Sequence, residues 1–158
     1  MQKPDLPFVK HSILSLMKQN PEYNVTVYDD NDIDSVILNA SNNNIITKKE
    51  ADSLVGTKDS NGSYEQHPAH IVERSDIARI LLMYTEGGFY IDADRLVNKR
   101  IKDVIQPNTI MALPTYHDIN FCQDLIATSP NNTIFLSMIH EASKIRMQLE
   151  RRKGWIRG

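Results

Sequence analysis

The stretch SDIARILLMYTEGGFYIDAD, residues 75–94, decides how the chain is read. Its first half has helical period and carries Asp76 and Arg79. It then meets Gly87-Gly88, and residues 89–93 have strand composition before the chain reaches Asp94. On a pleated strand Asp92 and Asp94, two residues apart, point to the same side. Two aligned carboxylates at a strand end suit a hard divalent cation, Mn²⁺ or Mg²⁺, whose remaining positions phosphate oxygens can fill. Gly87 and Gly88 supply the left-handed backbone of a helix stop and let chain or ligand pass close by.

Working upstream, Pro68 is a suitable first-turn residue for the helix that carries this stretch. Ile77, Ile80, Leu81 and Tyr84 lie on one face, while Val72, Ser75, Asp76, Arg79 and Met83 lie on another. Such a helix is expected to be buried nearly all round, and Asp76 and Arg79 then need a ligand or each other at i,i+3. Nearer the N-terminus, Pro7 opens a helix with Val9, Ile13, Leu16 and Met17 as its stripe, and Asn20-Pro21 stops it. Residues 24–28 alternate as a strand. The acidic corner from Asp29 to Asp32 caps a helix through Ile33, Val36 and Ile37 and is read as capping rather than as a ligand set. Residues 39–44 read as an asparagine-rich loop. Thr47 and Glu50 have capping-box spacing for a short helix through Ala51 and Leu54. Residues 56–67 read as a polar surface insertion.

Downstream, Leu96, Ile101, Val104 and Ile105 suggest an irregular connection packed on the core. Residues 109–113 and 125–128 read as strands, with a loop over 114–120. A long helix is expected from about Thr133, with Phe135, Met138, Ile139, Ala142, Ile145 and Leu149 inward and a basic, dipole-compensating end. Strands alternating with helices predict an α/β domain with a largely parallel sheet, and open sheets of that kind bind ligands at the carboxyl ends of their strands.

Composition bounds the function. A chain of 158 residues is expected to be one domain, residues 1–158, with a core of its own. The net charge of −2 gives no electrostatic case for nucleic acid or an acidic membrane. The single cysteine, Cys122, excludes an intrachain disulfide and reads as a small buried apolar residue. No window supplies a bilayer-crossing run, so the chain reads as soluble as written. Sequons begin at Asn24, Asn39, Asn61 and Asn131 and would allow a secretory location if targeting residues precede this chain.

The combination of S-D-I-A-R, a hydrophobic helix and G-G-F-Y-I-D-A-D resembles the DXD sugar-binding region of glycosyltransferases related to fungal initiating α-mannosyltransferases and inositol-phosphoceramide mannosyltransferases. The N-P-E-Y segment at residues 20–23, the expected strand after it and D-D-N-D-I fit the same pattern, so the likeness spans roughly residues 20–136. It implies a GT-A fold, a Rossmann-like nucleotide-diphospho-sugar transferase sandwich. It also implies retaining transfer of a mannose-, glucose- or galactose-type sugar from a nucleotide-sugar donor to a glycan, glycolipid or protein acceptor, with no protein nucleophile. Asp92 and Asp94 would hold Mn²⁺ or Mg²⁺, with Asp92 shared with the donor. Asp76 and Arg79 would bind the sugar and its diphosphate end, Ser75 and Tyr90 would line the donor pocket, and Gly87 and Gly88 would shape the approach.

The resemblance departs at both ends, where the family's first strand and terminal site segment are not matched, so the domain is expected to be partial. Location would be Golgi or secretory-membrane if an anchor precedes it, otherwise cytoplasmic. Two alternatives stand beside transfer. One is a non-catalytic nucleotide-sugar or metal-binding remnant. The other is a D-x-D phosphatase, whose pattern wants Thr or Val where Leu96 stands.

Overall fold

The computed structural model describes residues 6–55, 68–106, 109–116 and 120–156. The expected insertion at 56–67 lies outside them. The chain forms two compact units, one of residues 1–27 and 87–129, the other of residues 28–86 and 130–158.

The first unit begins with helix α1 (Leu6–Gln19). Val9, Ile13 and Leu16 are half-buried along its stripe, whereas Met17 is exposed and the buried place on that side belongs to Ser12. The helix ends on Asn20, which is 1% exposed and fully bonded. Its Nδ2 donates to the Leu16 carbonyl at 3.0 Å, and its Oδ1 accepts the Ile101 backbone N–H at 2.8 Å. Asn20 thereby ties the end of α1 to helix α5 (Ile101–Val104). Glu22 and Lys102 pair at 2.8 Å across the same junction, and the Lys102 bond holds the Glu22 carboxyl below its ordinary range. Asn20→Ala leaves the buried Ile101 N–H without its acceptor, while the Leu16 carbonyl keeps the backbone N–H of residue 20, so we predict a loss of about 2 kcal/mol. Urea denaturation checks this; an unchanged midpoint contradicts it.

The sheet of this unit is antiparallel, which corrects the parallel arrangement expected from the alternation of elements. Strands β1 (Gly88–Ile91), β2 (Met111–Ala112) and β5 (Leu125–Thr128) pair in the order β1-β5-β2, with Gly88 opposite Thr128 and Ile91 opposite Leu125. The predicted strand at 125–128 is present as read. The expected loop over 114–120 instead contains a hairpin of β3 (Thr115–Tyr116) and β4 (Asn120–Phe121); residues 117–119 are outside the described set. Phe89 leaves the other side of β1 and packs edge-on against Tyr23, with centroids 5.3 Å apart. Residues 24–28, read as a strand, join no ladder among the described residues. In the connection after β1, Ile101 is buried while Leu96 and Val104 are exposed, so only part of the expected apolar group is core. Cys122 is half-buried.

The second unit is helical: α2 (Asp30–Asn42), α3 (Lys48–Val55), α4 (Pro68–Thr85) and α6 (Thr133–Ile156). Asp29 caps α2 as its sequence predicts, accepting from the Asn31 and Asp32 N–H groups at 2.8 and 3.0 Å while Asp32 returns the bond. The asparagine run is not a loop from Asn39. The helix continues through Asn42 and stops where Asn44 takes φ 58, with the Ile45 N–H reaching back to the Ala40 carbonyl at 2.9 Å. Asparagine tolerates that left-handed backbone, so the run marks a helix end.

Helix α6 places Phe135 and Ile139 in the core, each contributing about 1.5–3 kcal/mol by burial. Met138 and Ile145, expected inward, are exposed; the facing positions one turn on are Ser143, fully buried, and Arg146, paired with Glu73 of α4. The apolar pattern alone misplaced the stripe because two polar residues share the buried face.

Glu50 begins α3 by accepting the Thr47 N–H at 2.7 Å and also accepts from His140 Nδ1 of α6 at 2.9 Å. Burial pushes its carboxyl up, and the bonds from His140 and Thr47 outweigh this and hold it below its ordinary value of 4.5. A depressed carboxyl stabilises the fold above the unfolded value and loses that contribution as pH falls through the folded one. We therefore predict that melting temperature falls between about pH 5 and 3 and that His140→Ala flattens this slope. Parallel profiles for the two proteins would contradict it.

Candidate functional site

The site is built at the C-terminal end of β1. Helix α4 closes with the Glu86 N–H bonded to the Leu82 carbonyl at 2.8 Å, and Gly87 and Gly88 follow at φ 66 and 84. Both glycines thus occupy the left-handed region expected of the helix stop. A side chain at Gly88 would meet no atom within 4 Å, so backbone conformation rather than space selects glycine there.

From Gly88 the pleat runs four residues. Tyr90 and Asp92 share one side: the Tyr90 hydroxyl donates to Asp92 Oδ1 at 2.6 Å, a short charge-assisted bond that fixes the carboxylate. The Asp92 N–H donates to the Asp124 carbonyl at 2.9 Å, extending the ladder one residue past Ile91.

Strand geometry ends there, short of the expected 89–93. Ala93 and Asp94 form a turn closed by the Arg95 N–H on the Asp92 carbonyl at 2.9 Å. Period-2 alternation is therefore not what relates Asp92 to Asp94; they are the first and third residues of a β-turn. Asp92 is half-buried and tethered, and Asp94 is exposed. A tethered carboxylate followed by an exposed one fits a hard cation that retains positions for other oxygens. Among the described residues no group of three or more His, Cys, Asp or Glu side chains is arranged to hold a metal.

Two residues that periodicity did not single out complete the turn. Arg95 donates through Nε to Asp124 Oδ2 at 3.0 Å, and Asp124 lies directly opposite Asp92 in the β1–β5 register. Asp124 Oδ1 is shielded from solvent and has no hydrogen-bond partner. Only knowledge of the strand pairing reveals this neighbour, because 124 is remote from 92 in sequence.

Ser75, Asp76 and Arg79 lie on α4, in the other compact unit from Asp92 and Asp94. Ser75 is half-buried. Asp76 and Arg79 meet each other at 3.0 Å, the i,i+3 pairing that their spacing allowed; the Arg79 side chain is 12% exposed and that of Asp76 is 45%. The most buried charge of this helix is Arg74, 3% exposed at its side chain and paired with Asp34 of α2. Among the described residues no helix is long and apolar enough to cross a membrane.

Residues 8–112 match the family described as the glycosyltransferase sugar-binding region containing the DXD motif. The match takes in α1, α2, α3, α4, β1, α5 and β2, together with the D-A-D turn. No curated protein and no solved structure matches the chain.

Proposed function

Because the chain belongs to the family of glycosyltransferases with a DXD-containing sugar-binding region, we propose that it is a metal-dependent hexosyltransferase using a nucleotide-sugar donor. The sugar is of the mannose, glucose or galactose type, the acceptor is a glycan, glycolipid or protein, and the anomeric configuration is retained. The observation that carries this reading is the D-A-D turn itself: one carboxylate fixed by Tyr90 and the ladder, the next exposed two residues on.

In this reading Asp92 and Asp94 hold Mn²⁺ or Mg²⁺, and Asp92 also contacts the donor. A cation bound there would neutralise a diphosphate and stabilise it as a leaving group. Tyr90 orients the Asp92 carboxylate through its hydroxyl. Ser75 lines the donor pocket, Asp76 and Arg79 bind the sugar and its diphosphate end, and Gly87 and Gly88 keep side chains away from the approach. No protein nucleophile is assigned, and the whole chain is read as one GT-A-type domain.

The test is incubation with Mn²⁺ and a panel of nucleotide-sugars, following release of nucleoside diphosphate. We predict slow hydrolysis of one donor, lost with EDTA and in Asp92→Asn. Phosphate released from simple monophosphates without donor turnover would favour a phosphatase. Donor binding with no turnover under any acceptor supplied would favour a non-catalytic binding protein.

A further inference from the structure

The pairing of Arg95 with Asp124 stands beside the D-A-D turn, where it adds little to the stability of the fold. Arg95 is more than half exposed, and an ion pair so placed contributes little to stability. Asp124, by contrast, keeps one carboxylate oxygen both dry and unbonded, an arrangement that disfavours the fold. Retaining a partly unsatisfied carboxylate for a weak surface pair makes little sense for stability alone.

Its position suggests another purpose. Asp124 faces Asp92 across the ladder, its carbonyl accepts the Asp92 N–H, and its carboxylate grips the residue that closes the turn over Asp94. Arg95 is therefore held at two points: its backbone N–H on the Asp92 carbonyl at 2.9 Å and its side chain on Asp124 at 3.0 Å. Together these fix both ends of the four-residue turn to one strand pair.

We propose that Asp124 is a positioning residue of the D-A-D site, acting through Arg95 to set the turn that presents Asp94 to a divalent cation. The inference rests on the metal reading above and deepens it. Partners that orient metal ligands without touching the metal typically alter affinity by 10-fold or more.

A competing arrangement makes the opposite prediction. If Asp124 were itself a ligand, Arg95 would compete with the cation for it, and removing Arg95 would tighten binding. Simple electrostatics points the same way, since deleting a fixed positive charge beside three carboxylates favours a cation. The positioning role requires that removing Arg95 weaken binding instead.

The experiment measures the Mn²⁺ concentration at the midpoint of thermal stabilisation for the full chain, with melting in EDTA as the folding control. We expect Asp124→Asn and Arg95→Ala each to raise the midpoint on the order of 10-fold, the double variant to go no further than either single one, and Arg95→Lys to restore most of the affinity. Asp124→Asn keeps the backbone carbonyl in the ladder, so its EDTA melting temperature is expected to stay near wild type. Faster amide exchange at Arg95 in both single variants would support the role independently of metal. An Arg95→Ala midpoint that is unchanged or lowered, or effects that add in the double variant, would overturn it. A wild-type response untouched by these changes removes this inference alone. No Mn²⁺ response in the wild type removes the metal reading and this inference with it.

Discussion

Replacing Asp94 with alanine is expected to abolish the stabilisation that Mn²⁺ and a nucleoside diphosphate together give the wild-type protein. A ligand present at 100 times its dissociation constant stabilises the native state by about 2.7 kcal/mol. For a protein of this size that corresponds to a rise in melting temperature of about 5–10 °C. Asp94 is exposed and makes no ladder bond, so its removal should leave melting in EDTA nearly unchanged. The effect is thereby separable from a folding defect. Asp92→Ala is a less clean test, because it also removes the bond that the Tyr90 hydroxyl donates to Asp92 at 2.6 Å. A variant at Asp94 that responds to Mn²⁺ and diphosphate as the wild type does would remove the turn as a metal site.

The second large effect is on the helical unit. Arg74→Ala is expected to destabilise it by about 3–5 kcal/mol, the range for breaking a buried ion pair by removing one partner. The Arg74 side chain is 3% exposed and that of Asp34 is 17%, so the abandoned carboxylate on α2 has little access to water. The pair joins α2 to α4, the helix that carries Ser75, Asp76 and Arg79, and we expect activity to fall with stability. Replacing both partners, Arg74→Met with Asp34→Leu, should be far milder than either single change, because no charge is left buried. Urea denaturation of the two single variants and the double variant checks this. A double variant as unstable as the sum of the singles would contradict the account.

What was legible in the chain was the local part. The caps at Asp29 and Thr47 followed from short-range spacing and are present with their bonds. Gly87-Gly88 ends α4 in the left-handed conformation, and the strand at 125–128 and the start of α6 stand where pattern put them. Each of those signals lies within a few residues of its effect.

What failed depends on residues far apart. Strand direction is set by which segments pair, and the antiparallel β1-β5-β2 order cannot be read from an alternation of elements. The same gap hid Asp124, whose relation to Asp92 exists only through the ladder, and Asp34, which lies 40 residues from Arg74. The inward face of α6 includes Ser143 and Arg146, and hydrophobic period is blind to buried polar side chains with tertiary roles. At the D-A-D segment the expected strand geometry gives way to a turn, which depends on the Arg95 N–H reaching the Asp92 carbonyl. Asp92 and Asp94 follow one another around a turn, and the exposure of the second comes from that turn.

In the proposed function the D-A-D turn holds a divalent cation which in turn engages a diphosphate. The most direct test of this is a titration of Mn²⁺ into the protein, following loss of the free-ion electron paramagnetic resonance signal, with and without a nucleoside diphosphate. The account predicts one bound Mn²⁺ per chain, tighter when the diphosphate is present and lost in Asp94→Ala. A free-ion signal in the diphosphate titration that is the same with the protein as without it would contradict it.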